Sequence, residues 1–186
     1  MNVTLASYDN QGYDPGAGIV KRSMWYVVNA MVIRSWFVPI SSVKCTILRL
    51  FGAKVGKGVV IKPRVNIKYP WYLVVGDHVW IGEGVWIDNL TWVNLESNVC
   101  ISQDAYLVTG NHDYKDPSFG LTIGKIVIEE GGWVGARAIV CPGVRLGQGS
   151  VLTVASVLTK DAAPNGIYRG NPAERVRDRI VKDCID

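Results

Sequence analysis

The sequence predicts an all-β chain wound into a parallel β-solenoid with helical segments at both ends, and three observations carry that expectation. The first is a six-residue period. Stepping from Val55 meets Ile61 and Ile67, slips by two at Tyr69–Pro70, then restarts at Val75 and passes through Ile81, Ile87, Val93, Val99 and Ala105. After a polar interruption the series resumes at Ile128 and runs through Val134, Val140, Leu146, Leu152 and Leu158, so that fourteen of fifteen positions are Val, Ile or Leu. The second is glycine directly after the aliphatic residue, at 56, 76, 82, 135 and 147. The third is a small or β-branched residue four places after it, as at Val59, Val79, Val85, Ala138, Ser150 and Ser156.

A period of six matches neither the 3.6 of a helix nor the alternation of a half-buried strand, and a sandwich would turn roughly every 8–12 residues. Hexads that each supply one short strand and a turn do satisfy it. Three of them close a triangular coil, with the aliphatic side chain pointing inward onto its counterpart in the next coil. β-Branched side chains suit such stacked strands, and glycine relieves crowding where backbones approach. The predicted units are an N-terminal helical cap over 1–54, the solenoid over 55–163 with an excursion near 109–125, and a C-terminal segment with an α-helix over 164–186.

A solenoid leaves its core open at both ends, and local signals supply the covers. Met24 to Phe37 reads as a helix ended by Pro39, and Ser41 or Ser42 caps a second one carrying Val43, Ile47, Leu48 and Leu50 up to Gly52. At the other end Asn171 reads as an N-cap, with Pro172 at the first helical position, Glu174 at the third, and an apolar stripe of Val176, Ile180 and Cys184. The aromatic-rich N-terminal segment, with Lys21, Arg22 and Arg34, has two readings: a cover for the solenoid end, or an interfacial helix in peripheral contact with a membrane.

Composition bounds the function. A chain of 186 residues, 48% apolar and 19% charged, is an ordered domain with a substantial core. A net charge of +4 without a dense Lys/Arg cluster argues against a nucleic-acid partner. Cys45, Cys100, Cys141 and Cys184 are scattered, which fits reduced thiols better than a disulfide framework or a zinc site. The most apolar run, 24–33, is too short to span a bilayer and no signal-peptide cleavage pattern follows it, so the protein reads as cytoplasmic.

The polar interruption, "YLVTGNHDYKDPSFGLT" over 106–122, holds His112, one of only two histidines. An imidazole has an unperturbed pKa of about 6.5 and can accept a proton near neutral pH. Asp113 reads as loop-stabilising, and His78 in "VGDHVW" occupies an ordinary outward-facing repeat position.

The stretches "VGDHVWIGEGVWID", "GGWVGARAIVCPGVRLGQGSVLTVASVLTKDAAPN" and "YRGNPAERV" resemble the hexapeptide-repeat acyltransferases, and most of all their sugar O-acetyltransferases of exopolysaccharide and colanic-acid type, across residues 55 to 177. The resemblance implies a left-handed β-helix, an exception to the usual crossover rule. It implies acetyl-coenzyme A as co-substrate in a ternary complex, His112 as general base toward a sugar hydroxyl, and a surface polysaccharide or its lipid-linked precursor as acceptor. It also implies a homotrimer with active sites between subunits, at the inner membrane face if the N-terminal segment touches lipid. Ala136, Val154, Thr159, Lys160 and Arg177 match cofactor-binding positions, with Arg175 beside them, and Asp88 and Asn89 fall where the family places acceptor-binding groups. Cys100 and Cys141, each just after a core position, read as structural rather than nucleophilic. The three-histidine zinc site of a β-helical carbonic anhydrase cannot be built from two histidines, so no metal is expected. Two departures stand out: "TVAS" at 153–156 where the family has "GAGS", and Glu174 at a basic position. The alternatives are another small acceptor, such as an antibiotic, serine or a free sugar, or a β-helix scaffold without chemistry.

Overall fold

Coils stack because each inward aliphatic side chain finds a counterpart one turn away. The computed structural model describes residues 3, 5–10 and 12–181. In it Val55, Val75, Leu95, Ile128 and Leu146 stand in register on a first face. Ile61, Ile81, Ile101, Val134 and Leu152 do so on a second, and Ile67, Ile87, Leu107, Val140 and Leu158 on a third. All but Val55 are buried. The faces are sheets of five, seven and five strands, joined as a three-sided parallel β-helix.

This register corrects the six-residue frame in its middle. The frame places Val93, Val99 and Ala105 over Val75, Ile81 and Ile87, whereas the structure pairs Leu95, Ile101 and Leu107 with them. A second two-residue slip, around Asn89–Leu90, repeats the one at Tyr69–Pro70, and the equivalent corner residues Tyr69 and Asn89 stand 20 positions apart. Val99 and Ala105 are buried too, but in corner places where small or β-branched side chains stand, and Val93 is buried at the start of a first-face strand, paired with Leu73 and Ile126. Both sets are apolar for different reasons, which is why the wrong frame looks equally good.

Corners turn through a residue of positive φ placed just before the buried small one, among them Arg64, His78, Asn98, Asp104, Arg137 and Ala155. His78 is therefore an exposed turn residue. Coils also approach closely beside the inward position. A Cβ on Gly135 would lie 2.7 Å from Val154 N of the next coil, so that place admits only hydrogen.

At the N-terminal end, α1 (Ile19–Val28) runs into a π-helical turn at Asn29–Ile33, and α2 spans Ser41–Leu50. Trp25 is buried against the open core and its Nε1 donates to the Ile67 carbonyl at 2.9 Å. Ile33 and Leu48 fill the same end, so the covering role of the segment is realised. Lys44 is buried with them, its Nζ donating to the Lys62 carbonyl at 2.8 Å, and burial holds the ammonium below its ordinary pKa. Ser41 does not cap α2; it is the first helical residue, and its hydroxyl accepts from the Ile61 N–H at 3.0 Å, tying helix to coil. Among the described residues no helix is long and apolar enough to cross a membrane.

The helix expected from Asn171 does not form. Gly166–Gly170 and Ala173–Asp178 make an antiparallel hairpin on the second face, turning at a cis Asn171–Pro172 bond. Pro172 and Glu174 carry helix-start signals, but Val151–Leu152 leaves a row of backbone groups that need partners. Ile167–Tyr168 pairs with that row and Ala173–Asp178 covers the strand so added. A complete ladder outweighs local helix preference. Val176 and Ile180 of the expected apolar stripe are exposed, and Cys184 lies outside the described residues.

The "TVAS" departure has a fold cost. Ala155 holds φ 55° at a corner where its Cβ crowds the backbone, a conformation that glycine adopts freely. Ala155→Gly should therefore raise stability by about 1 kcal/mol, read as a higher urea midpoint at unchanged slope; a lower midpoint would show that the corner is not strained.

Candidate active site

The third face always releases the chain at the same corner of the prism. In the first two coils that corner carries the two-residue slips, and in the next it releases the polar excursion. Thr109 forms its root: the fully buried hydroxyl accepts from the Leu90 N–H at 2.8 Å and donates to the Asp88 carbonyl at 3.0 Å. The excursion is a hairpin, Gly110–His112 against Leu121–Ile123, and Gly124 returns by donating its N–H to the Thr109 carbonyl at 2.8 Å. Its tip is tightened by the Asp113 and Asp116 carboxylates, which accept from the Lys115 and Ser118 N–H groups.

His112 is held on this hairpin by a ring and a carbonyl of one residue. Its imidazole stacks on Phe119 with centroids 4.3 Å apart, and Nδ1 lies 2.9 Å from the Phe119 carbonyl oxygen. A carbonyl can only accept, so Nδ1 carries the hydrogen of the neutral ring. Nε2 is then the basic nitrogen, and it has no hydrogen-bond partner among the described residues. Tyr8 of the N-terminal segment meets the ring edge-on at 5.7 Å.

One coil below the root, Asp88 is already engaged. Lys68 Nζ stands 3.1 Å from its Oδ1, and the Tyr106 hydroxyl donates to its Oδ2 at 3.1 Å. Burial first, and then the neighbouring carboxylate, push the Tyr106 pKa up to about 12. Asn89 differs from the expectation of an acceptor-binding group. It is fully buried, its Oδ1 accepting from the Tyr69 N–H at 3.0 Å and its Nδ2 donating to the Tyr69 carbonyl at 2.6 Å. It shapes the corner instead.

The residues matched to a cofactor divide between two edges of the third face. Ala136 and Val154 lie at the corner where the chain joins that face, stacked through the Ala155 N–H to the Ala136 carbonyl at 2.9 Å. Thr159 and Lys160 lie at the opposite corner, on the same edge as the hairpin. Arg175 and Arg177 sit on the terminal strand, paired with Tyr168 and Ile167, and Arg175 Nη2 binds Asp178 at 2.7 Å. One chain thus gathers His112, Asp88 and Lys160 along one edge, and Ala136, Val154 and Arg175 toward the other. Burial raises the pKa of the Cys100 and Cys141 thiols, away from a thiolate nucleophile.

Sequence reading passed over Lys68, Tyr106, Tyr8 and Phe119. Lys68 precedes Asp88 by one coil, a relation visible only once the 20-residue spacing is known. No sequence pattern marks Phe119, which reaches His112 within the folded hairpin, or Tyr8, which reaches it from the N-terminal segment. If the Phe119 carbonyl sets the tautomer, ¹⁵N NMR of the neutral His112 ring should show a protonated Nδ1 and an unprotonated Nε2. The opposite pattern would remove the basis for assigning Nε2 as the base.

No protein-family model matches the chain. It is 38% identical over 165 residues to the Escherichia coli colanic acid biosynthesis acetyltransferase WcaF, an alignment covering 89% of this chain and 91% of that protein. A hexapeptide-repeat acetyltransferase from Vibrio cholerae, complexed with acetyl coenzyme A, superposes with a TM-score of 0.80 at 20% identity over 96% of this chain and 100% of that one. A galactoside acetyltransferase in complex with coenzyme A superposes with a TM-score of 0.77 at 21% identity, over 86% and 80% of the two chains. An identity of 38%, held along nearly the whole of both sequences and spanning the repeat that builds the prism, places the chain in the hexapeptide-repeat acetyltransferases.

Proposed function

We propose that the chain transfers an acetyl group from acetyl-coenzyme A to a hydroxyl of a sugar in a surface polysaccharide or its lipid-linked precursor. His112 is the general base. The observation that carries this reading is the His112 ring, whose Nδ1 is committed to the Phe119 carbonyl while Nε2 has no hydrogen-bond partner among the described residues. The similarity to WcaF supports a polysaccharide sugar, and the V. cholerae complex with acetyl coenzyme A supports the donor.

A sugar hydroxyl attacks poorly at neutral pH because its proton must leave as the new C–O bond forms. Nε2 of His112 accepts that proton while the oxygen attacks the thioester carbonyl, and returns it to the departing sulfur as the C–S bond breaks. The ring ends in its starting state and no acyl-enzyme is required. The bound thioester supplies the activated acyl carbon. The Ala136 N–H, without a backbone partner among the described residues, is available to bind it. Val154 and Thr159 line the exposed turns, and Lys160, Arg175 and Arg177 offer charge and donors to its phosphates.

The two groups of residues lie on opposite edges of one face, five or so extended residues apart, or about 15 Å. A cyclic trimer, in which one subunit's hairpin edge meets the next subunit's Ala136 edge, reunites them. The protein acts in the cytoplasm, at the inner membrane face when its acceptor is lipid-linked. Met24 and Met31, exposed on the N-terminal helical segment, and Phe37, exposed in the bend that follows it, supply the membrane contact.

Two experiments test this. Thiol release from acetyl-coenzyme A should depend on an added glycan, and His112→Ala should lower turnover by about 10²–10⁴-fold without altering the circular dichroism spectrum; a near-wild-type rate would falsify the assignment. Co-expressing His112→Ala with Ala136→Arg should restore part of the activity that each variant lacks alone, because a hybrid trimer rebuilds an intact site between subunits. Two inactive variants that stay inactive together point to a site within one chain.

A further inference from the structure

A groove opens between α1 and the third face, away from the His112 ring. It comprises two adjoining cavities of 580 and 340 Å³ that share Arg34, Asn66 and Trp86. Its charge is one-sided. Residues 15–76 hold ten of the chain's 20 lysines and arginines and none of its 16 acidic residues, and Arg22, Arg34, Arg64 and Lys68 face this groove. Arg64 is 3.6 Å from Glu83 and Lys68 is 3.1 Å from Asp88. Among the described residues, Arg22 and Arg34 have no carboxylate partner.

Polar groups inside the groove are also left over. Asn29 is 8% exposed; its Nδ2 donates to Asn66 Oδ1 at 2.8 Å, but its own Oδ1 is buried without a partner, as is Arg22 Nε. An unpartnered buried acceptor and donor lining one cavity cost stability unless something fills them. Trp36 and Trp86 are 59% and 42% exposed along the wall, with Arg64 over the Trp36 ring at 5.4 Å and Tyr106 stacked on Trp86 at 4.7 Å. At the outer lip, Ile19, Tyr26 and Val27 are exposed and apolar.

We infer that this groove binds a phosphate ester of a sugar. The arginines take the phosphate oxygens, Asn29 Oδ1 takes a sugar hydroxyl, the tryptophans take the sugar's apolar face, and the apolar lip takes the chain that carries the phosphate. The groove is wired to the candidate active site. Lys68 lines it and pairs with Asp88, and Trp86 stacks on Tyr106, whose hydroxyl binds the same carboxylate. Asp88 in turn stands opposite Val108, next to the root of the His112 hairpin. Describing the ligand as the acceptor rests on the acetyl-transfer reading; binding itself does not.

The test is titration calorimetry of the full chain, without acetyl-coenzyme A, against geranyl-diphospho-galactose, uridine diphosphate galactose and inorganic pyrophosphate at matched ionic strength. Either ester should bind, and Arg34→Glu and Arg22→Gln should each weaken it about 10- to 100-fold, whereas Arg177→Gln should not. Tighter binding of geranyl-diphospho-galactose identifies a lipid-carried sugar, and tighter binding of the nucleotide sugar a nucleotide-carried one; both support the site. Pyrophosphate binding as tightly as the esters, or both groove variants binding like wild type while keeping their melting temperature, overturns it. Loss of acetyl transfer with intact groove binding would count against the catalytic assignment alone.

Discussion

The close approach of successive coils governs everything else in this molecule. Neighbouring strands in a sheet lie about 4.8 Å apart, and here each strand of the wall is bonded to the coils on both sides. No residue can be added within an inner strand without breaking the ladders on both of its sides. Some places beside the inward positions, such as Gly135, have room only for hydrogen, and the turns between faces depend on left-handed residues. Extra chain is admitted only at a corner. The structure uses one corner repeatedly, for two short slips and then for the hairpin that carries His112.

That placement gives the hairpin a rigid base and a free end. Thr109 and Asn89 spend buried hydrogen bonds on fixing the corner, while the ring of His112 is oriented by Phe119 within the hairpin itself. The coil beneath contributes a second polar group, Lys68–Asp88–Tyr106, assembled from three consecutive rungs. Stacking therefore makes residues one coil apart into neighbours, and chemistry can be built along a column as well as around a turn.

Much of this was legible in the chain. The hexad period announced the prism, and the break in it announced the hairpin with its histidine. The register beyond Ile87 was not legible, because Val93, Val99 and Ala105 satisfy the inward pattern although they stand two residues before the inward places. The terminal hairpin was hidden behind Asn171, Pro172 and Glu174, whose helix-start signals are local, whereas the pull of an uncovered sheet is not. Tyr8 and Phe119 came to His112 through tertiary contact alone. The segregation of acidic residues out of 15–76 was plainly present in the letters, but a net charge averages it away.

The terminal hairpin also settles how long the prism can become. A parallel solenoid ending in a bare rung is a template for another copy of itself, and such edges seed fibres. Here the last strand runs against the rest and carries Glu174, Arg175, Arg177 and Asp178 along its length. A second molecule arriving at this end meets reversed polarity and a charged rim, while α1 and α2 close the other end. The protein remains a particle of fixed size, although its core is built on the same stacking that gives amyloid its unlimited growth.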